Sequence, residues 1–487
     1  VRFLVIFIIP VILGLISLCV RRIKFLGLAH ACGYLLLIIA SAAIFFKTVF
    51  LHQGLGAFNF FFLDGLSAFF LAVIAMVGFS ASLYSIGYIQ ADIDKGILSL
   101  RKSQLYYLLF DLFLLSMIMV VSVNNLGMLW VCIEMTTLVS AFLVGFYQTK
   151  ESLEAAWKYI IVCSVGIILA LLGTILFSYA LSLAGGPKSL NWTEMIAYSQ
   201  KLDKNILKIA FIFILVGYGT KAGLAPMHTW LPDAHSQAIS PISALLSGVL
   251  LKTAVYAIIR FGMIVNQGLG STSYFSHLLT VFGLVCLVIA AGFIIIQKDL
   301  KRLLAYSSIE HIGIICLGLG IGGGIACLGV LVHIFNHAAA KSLMFFGAGN
   351  IVKKYGQHNM RMIRGVVGSM PFTGIMFLLG TFALTGFPPF ALFFSELLVI
   401  VAGFLKGAYI VTGLLLFFLA LIFSAMIYHF NRMLFGHAPK GMPRTKEPLG
   451  AKAAFVILLA VISISGLSLA WIYKPAVLIA QQILKGI

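Results

Sequence analysis

The sequence predicts an all-α protein that crosses a membrane about fourteen times. Three observations carry this reading. Apolar stretches of 20 or more residues, the length that spans a bilayer, recur from end to end of the 487-residue chain. Hydrophobic residues make up 62% of the chain and charged residues 10%, with a mean hydropathy of +1.10, a composition that excludes a water-soluble domain. Lys and Arg gather in every second connection, the bias that orients polytopic proteins. No polar stretch is long enough to fold alone, so residues 1–487 read as one transmembrane domain.

The spans centre near residues 11, 38, 77, 114, 136, 171, 216, 250, 286, 311, 339, 385, 420 and 463. The first is as long as a span, lacks an A-x-A end and is followed by Arg21-Arg22-Ile23-Lys24, so it reads as a retained helix and not a cleaved signal. Asp64, before Gly65-Leu66-Ser67, reads as the cap of span 3. Basic connections follow span 1, precede span 4 (Lys95, Arg101, Lys102), precede span 10 (Lys298, Lys301, Arg302) and follow span 11 (Lys353, Lys354, Arg361, Arg364). Another lies between spans 13 and 14 (Arg432, Lys440, Arg444, Lys446, Lys452). The alternate connections are nearly uncharged, apart from the one joining spans 6 and 7 with Lys188, Lys201, Lys204 and Lys208. This bias puts both termini outside the cell and the basic loops in the cytoplasm. It also accounts for the net charge of +19 without nucleic acid as a partner. The seven cysteines lie scattered in apolar segments with no C-x-x-C pair, so no disulfide, zinc or Fe–S framework is indicated.

Two spans are interrupted. Span 7 carries Gly217, Gly219, Gly223 and Pro226 around Lys221, and span 12 carries Gly386, Pro388 and Pro389 just before Glu396. Broken helices at membrane depth are tolerated where they face protein or water, and paired interruptions point to inverted repeats around a midplane site. Short motifs recur in the same order. Ile133-Glu134-Met135 is echoed by Ile309-Glu310-His311, Ala155-Ala156-Trp157-Lys158 by Ala338-Ala339-Ala340-Lys341, and Lys221 by Glu396, with offsets of 176, 183 and 175 residues. Five spans separate each pair, so the two units face the membrane in opposite senses. The sequence therefore predicts two inverted five-helix repeats, spans 4–8 (residues 104–266) and spans 9–13 (residues 276–435), with helices 7 and 12 broken.

Six charged residues interrupt apolar runs: Glu134, Lys158, Lys221, Lys252, Lys341 and Glu396. A charge at the bilayer centre costs about 2.5–3.5 kcal/mol on insertion scales, so such residues face the protein interior and mark pathways. Lysine and glutamate hold and release protons and arginine does not. Glu134 and Lys221 are candidates for a buried pair in which each partner tunes the other's proton. A structural ion pair is the blander reading, but buried pairs are weak stabilisers and five central charges favour transport. His333, His337 and Lys341 fall at i, i+4 and i+8, lining about 12 Å of one helix face, with His311 facing them from span 10. They read as a proton wire, ahead of hydrogen-bonded structural histidines and of a bis-histidine haem. Lys158, near the start of span 6, is equally well read as snorkelling to the cytoplasmic face. Glu310 reads as a helix-packing carboxylate, and Asp111 has no assigned role.

The run Gly219-Thr220-Lys221-Ala222-Gly223 through Pro226-Met227-His228-Thr229-Trp230-Leu231-Pro232-Asp233-Ala234-His235 resembles the signature of the antiporter-like membrane subunits shared by complex I, Mrp-type antiporters and membrane-bound hydrogenases. Leu250-Leu251-Lys252-Thr253-Ala254, Lys301 to Ser308 and His337 to Lys341 also match, and the resemblance covers almost the whole chain. Within that family, Trp130 to Glu134 and Leu153-Glu154-Ala155-Ala156-Trp157-Lys158-Tyr159 look most like the component F subunits of hydrogenase-4 and formate hydrogenlyase-type complexes. About twelve residues follow span 14, in contrast to the long lateral helix of the most distal complex I subunit.

The resemblance implies roles. Glu134 stands at the span-5 glutamate, Lys221 at its paired lysine, Lys252 at the central lysine of span 8. His311, His337 and Lys341 stand along the axis, and Glu396 at the exit. It implies a proton-translocating subunit of a redox-driven complex in a prokaryotic cytoplasmic membrane. No cofactor is expected in the chain itself; Fe–S, Ni–Fe or flavin centres are expected in partner subunits. The expected partners are further antiporter-like and other membrane subunits, a peripheral redox module and lipids. An Mrp-type Na⁺/H⁺ antiporter subunit is the alternative, and an inert membrane scaffold the reading that the buried charges oppose.

Overall fold

Six helices begin on a side chain that accepts a hydrogen bond from its own first turn: Asp64 from Ser67 N, Ser99 from Lys102 N, Asn125 from Met128 N, Thr149 from Ser152 N, Asp203 from Ile206 N and Asp299 from Arg302 N. Each cap satisfies a backbone donor left open by helix geometry, and Asp64 does so as the sequence suggested. The computed structural model describes residues 2–439, 442–444 and 447–485; Lys440 and Lys446, two of the basic residues expected between the last two spans, lie outside them.

In chain order the helices are α1 (Val5–Cys19), α2 (Ile23–Phe45), α3 (Gly65–Asp94), α4 (Leu100–Ser122), α5 (Leu126–Val144), α6 (Lys150–Leu183) and a short α7 (Trp192–Tyr198). There follow α8 (Lys204–Ala222), α9 (Trp230–Gln237), α10 (Ser240–Leu245), α11 (Leu251–Leu269), α12 (Ser273–Ile296), α13 (Leu300–Ile321) and α14 (Gly323–Tyr355). The last are α15 (Val366–Ser369), α16 (Pro371–Leu384), α17 (Ala391–Leu405), α18 (Tyr409–Leu434), α19 (Leu449–Leu467) and α20 (Leu469–Lys485). Among the described residues twelve helical segments are long and apolar enough to cross a membrane; α1, α16 and α17 are shorter. The fourteen expected crossings are reached by counting α1 as one and α16 with α17 as one broken crossing. Among the described residues a hairpin of two three-residue strands, β1 (Leu55–Ala57) and β2 (Phe61–Leu63), departs from the helical pattern. Phe58 and Asn59 turn it with positive φ.

Burial separates inside from outside. In the segment 240–269 every residue of the most apolar window is buried, against 22% for α18. That segment, made of α10, the π-helical turn Leu246–Leu250 and α11, is therefore the central post, and α18 faces the surroundings. Around the post pack α3, α4, α8 and α14. Small residues set the closest approaches: a Cβ on Gly217 would meet Ala170 N at 2.5 Å and Gly166 O at 2.7 Å, so α6 and α8 touch backbone to backbone, the packing that membrane helices favour.

Two buried polar clusters away from the centre lock the fold. Arg260 on α11 grips Asp64 with both terminal nitrogens, Nη1 to Oδ2 at 2.7 Å, and also donates to Ser67 Oγ at 3.0 Å. Its guanidinium lies 4.1 Å from the Trp192 ring centre and 4.9 Å from that of Tyr256. Asp111, unexplained in the sequence, takes a hydrogen bond from Tyr34 OH at 2.6 Å and faces His30 Nε2 at 2.9 Å. It ties α4 to α2 as a helix-packing group.

Removing one partner of a buried ion pair costs about 3–5 kcal/mol, because the other charge is stranded. Arg260→Ala lowers the unfolding midpoint of the detergent-purified protein, and the Asp64→Asn/Arg260→Gln double variant recovers much of that loss. An unmoved midpoint in Arg260→Ala refutes the lock.

Candidate functional site

The first break positions Lys221. Helix α8 ends at Gly223, whose φ of +80° is the left-handed conformation that stops a helix without strain. The chain then runs irregularly to α9, and Trp230 Nε1 returns to donate to Thr220 O at 2.9 Å. Lys221 is thereby held in the last turn, where the exposed carbonyl ends favour a cation. Its Nζ is buried and donates to Thr137 Oγ1 at 2.8 Å and Tyr159 OH at 2.6 Å. Tyr159 passes its own proton to Ser140 Oγ, 2.7 Å away, since Ser140 already donates to Thr136 O.

Glu134 is not the direct partner that the sequence suggested. It takes a hydrogen bond from Ser164 Oγ at 3.0 Å, while its buried Oε2 has no partner. It lies within electrostatic reach of Lys221, but no ion pair joins the two among the described residues. Two hydroxyls hold the ammonium where a carboxylate was expected.

The central post carries Lys252 directly after its π-helical turn. Lys252 Nζ donates to a carbonyl inside that turn, Ser247 O. Ser247 Oγ meets Ser308 Oγ on α13 at 2.7 Å. Lys341 on α14 reaches across to the same helix, donating to Leu304 O at 2.7 Å and to Ser307 Oγ. His235 lies within electrostatic reach of Lys252 and Lys341. Its Nδ1 donates to Leu231 O at 2.9 Å, so Nε2 is a bare, buried acceptor with no partner. Its ring centre is 6.1 Å from that of Trp230, which is 4.6 Å from that of Tyr159. Aromatic packing thus connects the Lys221 end to the central lysines.

Beyond Lys341 stand the histidines, all buried. His337 has its ring centre 4.3 Å from that of His311, and neither His337 nitrogen has a partner. His311 Nδ1 is 3.0 Å from His333 Nε2, and His333 Nδ1 is 2.9 Å from Ser395 Oγ. The Ser395 hydroxyl donates to Leu392 O at 2.7 Å, so it accepts from His333. His333 then carries its proton on Nδ1, His311 donates to it from its own Nδ1, and His311 Nε2 is left as an open acceptor. Hydrogen bonding fixes both tautomers and orients the chain.

Glu396 stands on α17, just past the second break, and is buried. Gly386, with φ +66°, leaves the space its carboxylate fills: a Cβ there would collide with it. Glu310 lies within electrostatic reach of both Glu396 and Lys341 and has a buried oxygen with no partner.

Seven of the nine residues singled out in the sequence, Lys221, Lys252, His311, His333, His337, Lys341 and Glu396, are thus buried, and Glu134 is half-buried with its Oε2 turned inward. Lys158 is not buried. Its side chain is 51% exposed and pairs with Glu154 at 2.7 Å and Asp233 at 3.3 Å, in a surface network that Arg302 completes through Asp233. It snorkels, as the blander reading had it. Lys301, read as part of a basic loop, is instead buried in the first turn of α13, donating to Ala238 O at 2.6 Å at the end of α9. Glu310, Tyr159 and His235 were not selected. Glu310 had a signal, its correspondence with Glu134. His235 and Tyr159 each lay in a run that carries the family resemblance, but no charge set either apart.

The model of the transmembrane family "NADH:quinone oxidoreductase/Mrp antiporter" matches residues 123–424, and that of the complex I chain 5 N-terminus matches residues 57–97. The chain belongs to this antiporter-like membrane-subunit family. It is 41% identical to a hydrogenase-4 component F homolog from Methylacidiphilum infernorum over 72% of this chain and 74% of that one. It is 28% identical to NADH-quinone oxidoreductase subunit N of Desulforudis audaxviator over 78% and 73%. Among solved structures, chains of the archaeal membrane-bound sulfane sulfur reductase (TM-score 0.86, 24% identity, covering 99% of this chain and 98% of that one) and of the Mrp complex from Dietzia (0.85, 18%, 99% and 96%) share its fold.

Exposed ion pairs contribute about 0–1 kcal/mol. Lys158→Ala accordingly moves the unfolding midpoint in detergent by no more than a few degrees; a loss as large as that of Arg260→Ala contradicts its surface placement.

Proposed function

We propose that this chain translocates protons as an antiporter-like membrane subunit of a redox-driven respiratory or hydrogenase-type complex. The observation that carries this is the file of interior titratable groups running from Glu134 and Lys221, past His235, Lys252 and Lys341, through His337, His311 and His333 to Glu396. No lysine in the file sits in a salt bridge among the described residues. An ammonium held by hydroxyls and carbonyls has acceptors that stabilise it yet form no ion pair that must be broken when a proton leaves. Water is needed to join groups that do not touch, and the unpartnered Glu134 Oε2, His235 Nε2, Glu310 Oε2 and His311 Nε2 are the sites such water would bridge.

The electron chemistry falls to partners carrying Fe–S, Ni–Fe or flavin centres in a peripheral module. Further antiporter-like subunits and lipids flank the chain in a prokaryotic cytoplasmic membrane, with both termini outside. Residues 104–266 and 276–435 act as the two inverted repeats, with Lys221 and Glu396 as corresponding ends. Energy reaches the chain as a push from neighbouring subunits, since coupling requires two states that both sites bias.

Lys221→Ala in the intact complex, reconstituted in proteoliposomes, abolishes proton uptake coupled to electron transfer while part of the redox turnover persists. Tyr159→Phe removes one hydrogen bond to that ammonium, worth about 1.5–3 kcal/mol for a charged group, and slows coupled uptake at least severalfold. Undiminished uptake in Lys221→Ala defeats the reading. Transport driven by a Na⁺ gradient alone, without electron transfer, would replace it with the Mrp-type antiporter, whose fold the chain shares.

A further inference from the structure

Three donors of a kind that binds metals meet next to the second break. His311, His333 and Glu396 each offer one ligand atom within 4.8 Å of the others, and all three are buried. The histidines come from α13 and α14 and the carboxylate from α17, so three helices converge on one point.

The ring pair already has the spacing of a coordination site. His311 Nδ1 and His333 Nε2 are 3.0 Å apart. Around a tetrahedral ion with metal–nitrogen bonds of about 2.0–2.1 Å, neighbouring donors stand roughly 3.3 Å apart. The outer support is also present. Ligating imidazoles donate their other N–H to a fixed acceptor, which sets ring and tautomer. His333 Nδ1 does this to Ser395 Oγ, itself anchored on Leu392 O. That leaves the His333 Nε2 lone pair aimed at the cluster. The Glu396 carboxylate, seated in the space that the missing side chain of Gly386 leaves, closes the triangle.

We propose that His311, His333 and Glu396 bind one divalent transition-metal ion of the zinc class, and that the bound ion blocks the relay. Two imidazoles and one carboxylate suit zinc-like ions, whereas magnesium and calcium take all-oxygen shells. His311 binds through Nδ1 by moving its proton to Nε2, which has no other partner; no atom is lost from the ring. Glu310 lies within electrostatic reach of Glu396, and Lys252 of His333. The ion takes the lone pairs that would otherwise receive a proton. This second half rests on the proton-translocating reading; the binding half does not.

The test uses the intact purified complex and Co²⁺ as a coloured substitute for Zn²⁺. Wild type shows one Co²⁺ per copy of this chain with visible ligand-field bands, displaced by Zn²⁺. Glu396→Gln and His333→Gln lose the bands, and Ser395→Ala keeps them with affinity weakened about 10–100-fold, as outer-shell changes do. Bands and affinity unchanged in all three overturn the site. In proteoliposomes Zn²⁺ slows coupled proton uptake of wild type, and Ser395→Ala needs at least tenfold more. Co²⁺ binding without any effect on uptake overturns the block and leaves the site standing. Undiminished uptake in Lys221→Ala defeats the translocation reading and leaves the Co²⁺ result untouched.

Discussion

The arrangement of this molecule follows from one cost: holding lysine ammonium groups in a medium that does not solvate them. Lys221, Lys252 and Lys341 are all buried. Each needs acceptors, and a helix offers few, because its carbonyls already accept within its own ladder. The fold supplies acceptors from hydroxyls and carbonyls of neighbouring helices and, at one point, from a π turn. α8 stops at Gly223, leaving Lys221 in the last turn beside the hydroxyls of Thr137 and Tyr159. The central post widens into a π turn and presents Ser247 O to Lys252. α13 gives Leu304 O and Ser307 Oγ to Lys341.

Interruptions in turn demand close packing, since free backbone groups cannot face lipid. The Gly166–Gly217 approach of α6 and α8 and the return of Trp230 to Thr220 O are how the first break is sealed. Gly386 plays a different part at the second, where the missing side chain makes room for the Glu396 carboxylate. Small residues thus serve packing at one break and chemistry at the other.

Much of this was legible in the sequence, for physical reasons. A charge inside a long apolar run can be seen without a structure, and so can Gly and Pro beside it, which is why the interior residues and both breaks were found. What an ammonium touches depends on helices far away in sequence. Lys221 and Tyr159 are 62 residues apart, and no spacing rule connects them. The expectation of a Glu134–Lys221 contact failed for that reason: charge complementarity suggested a pair, and hydroxyls won. Lys158 failed otherwise. An apolar-flanked lysine in the early turns of a long helix reads the same whether its tip turns inward or snorkels, and Asp233, 75 residues on, decides.

The choice of cation separates lock from path. Arg260 is also fully buried, but it sits in a two-pronged pair with Asp64 and stacks on Trp192 and Tyr256. Arginine keeps its proton, and its planar fork suits a fixed carboxylate, so this contact has one state. The lysines have no carboxylate in contact and no stacked fork, apart from the Tyr159 ring near Lys221. Their acceptors are dipoles, which hold the charged form less tightly than an ion would. A transport path needs groups whose two protonation states lie close in free energy, and a scaffold needs the reverse. Both kinds of cation are present in one molecule, and they are divided along that line.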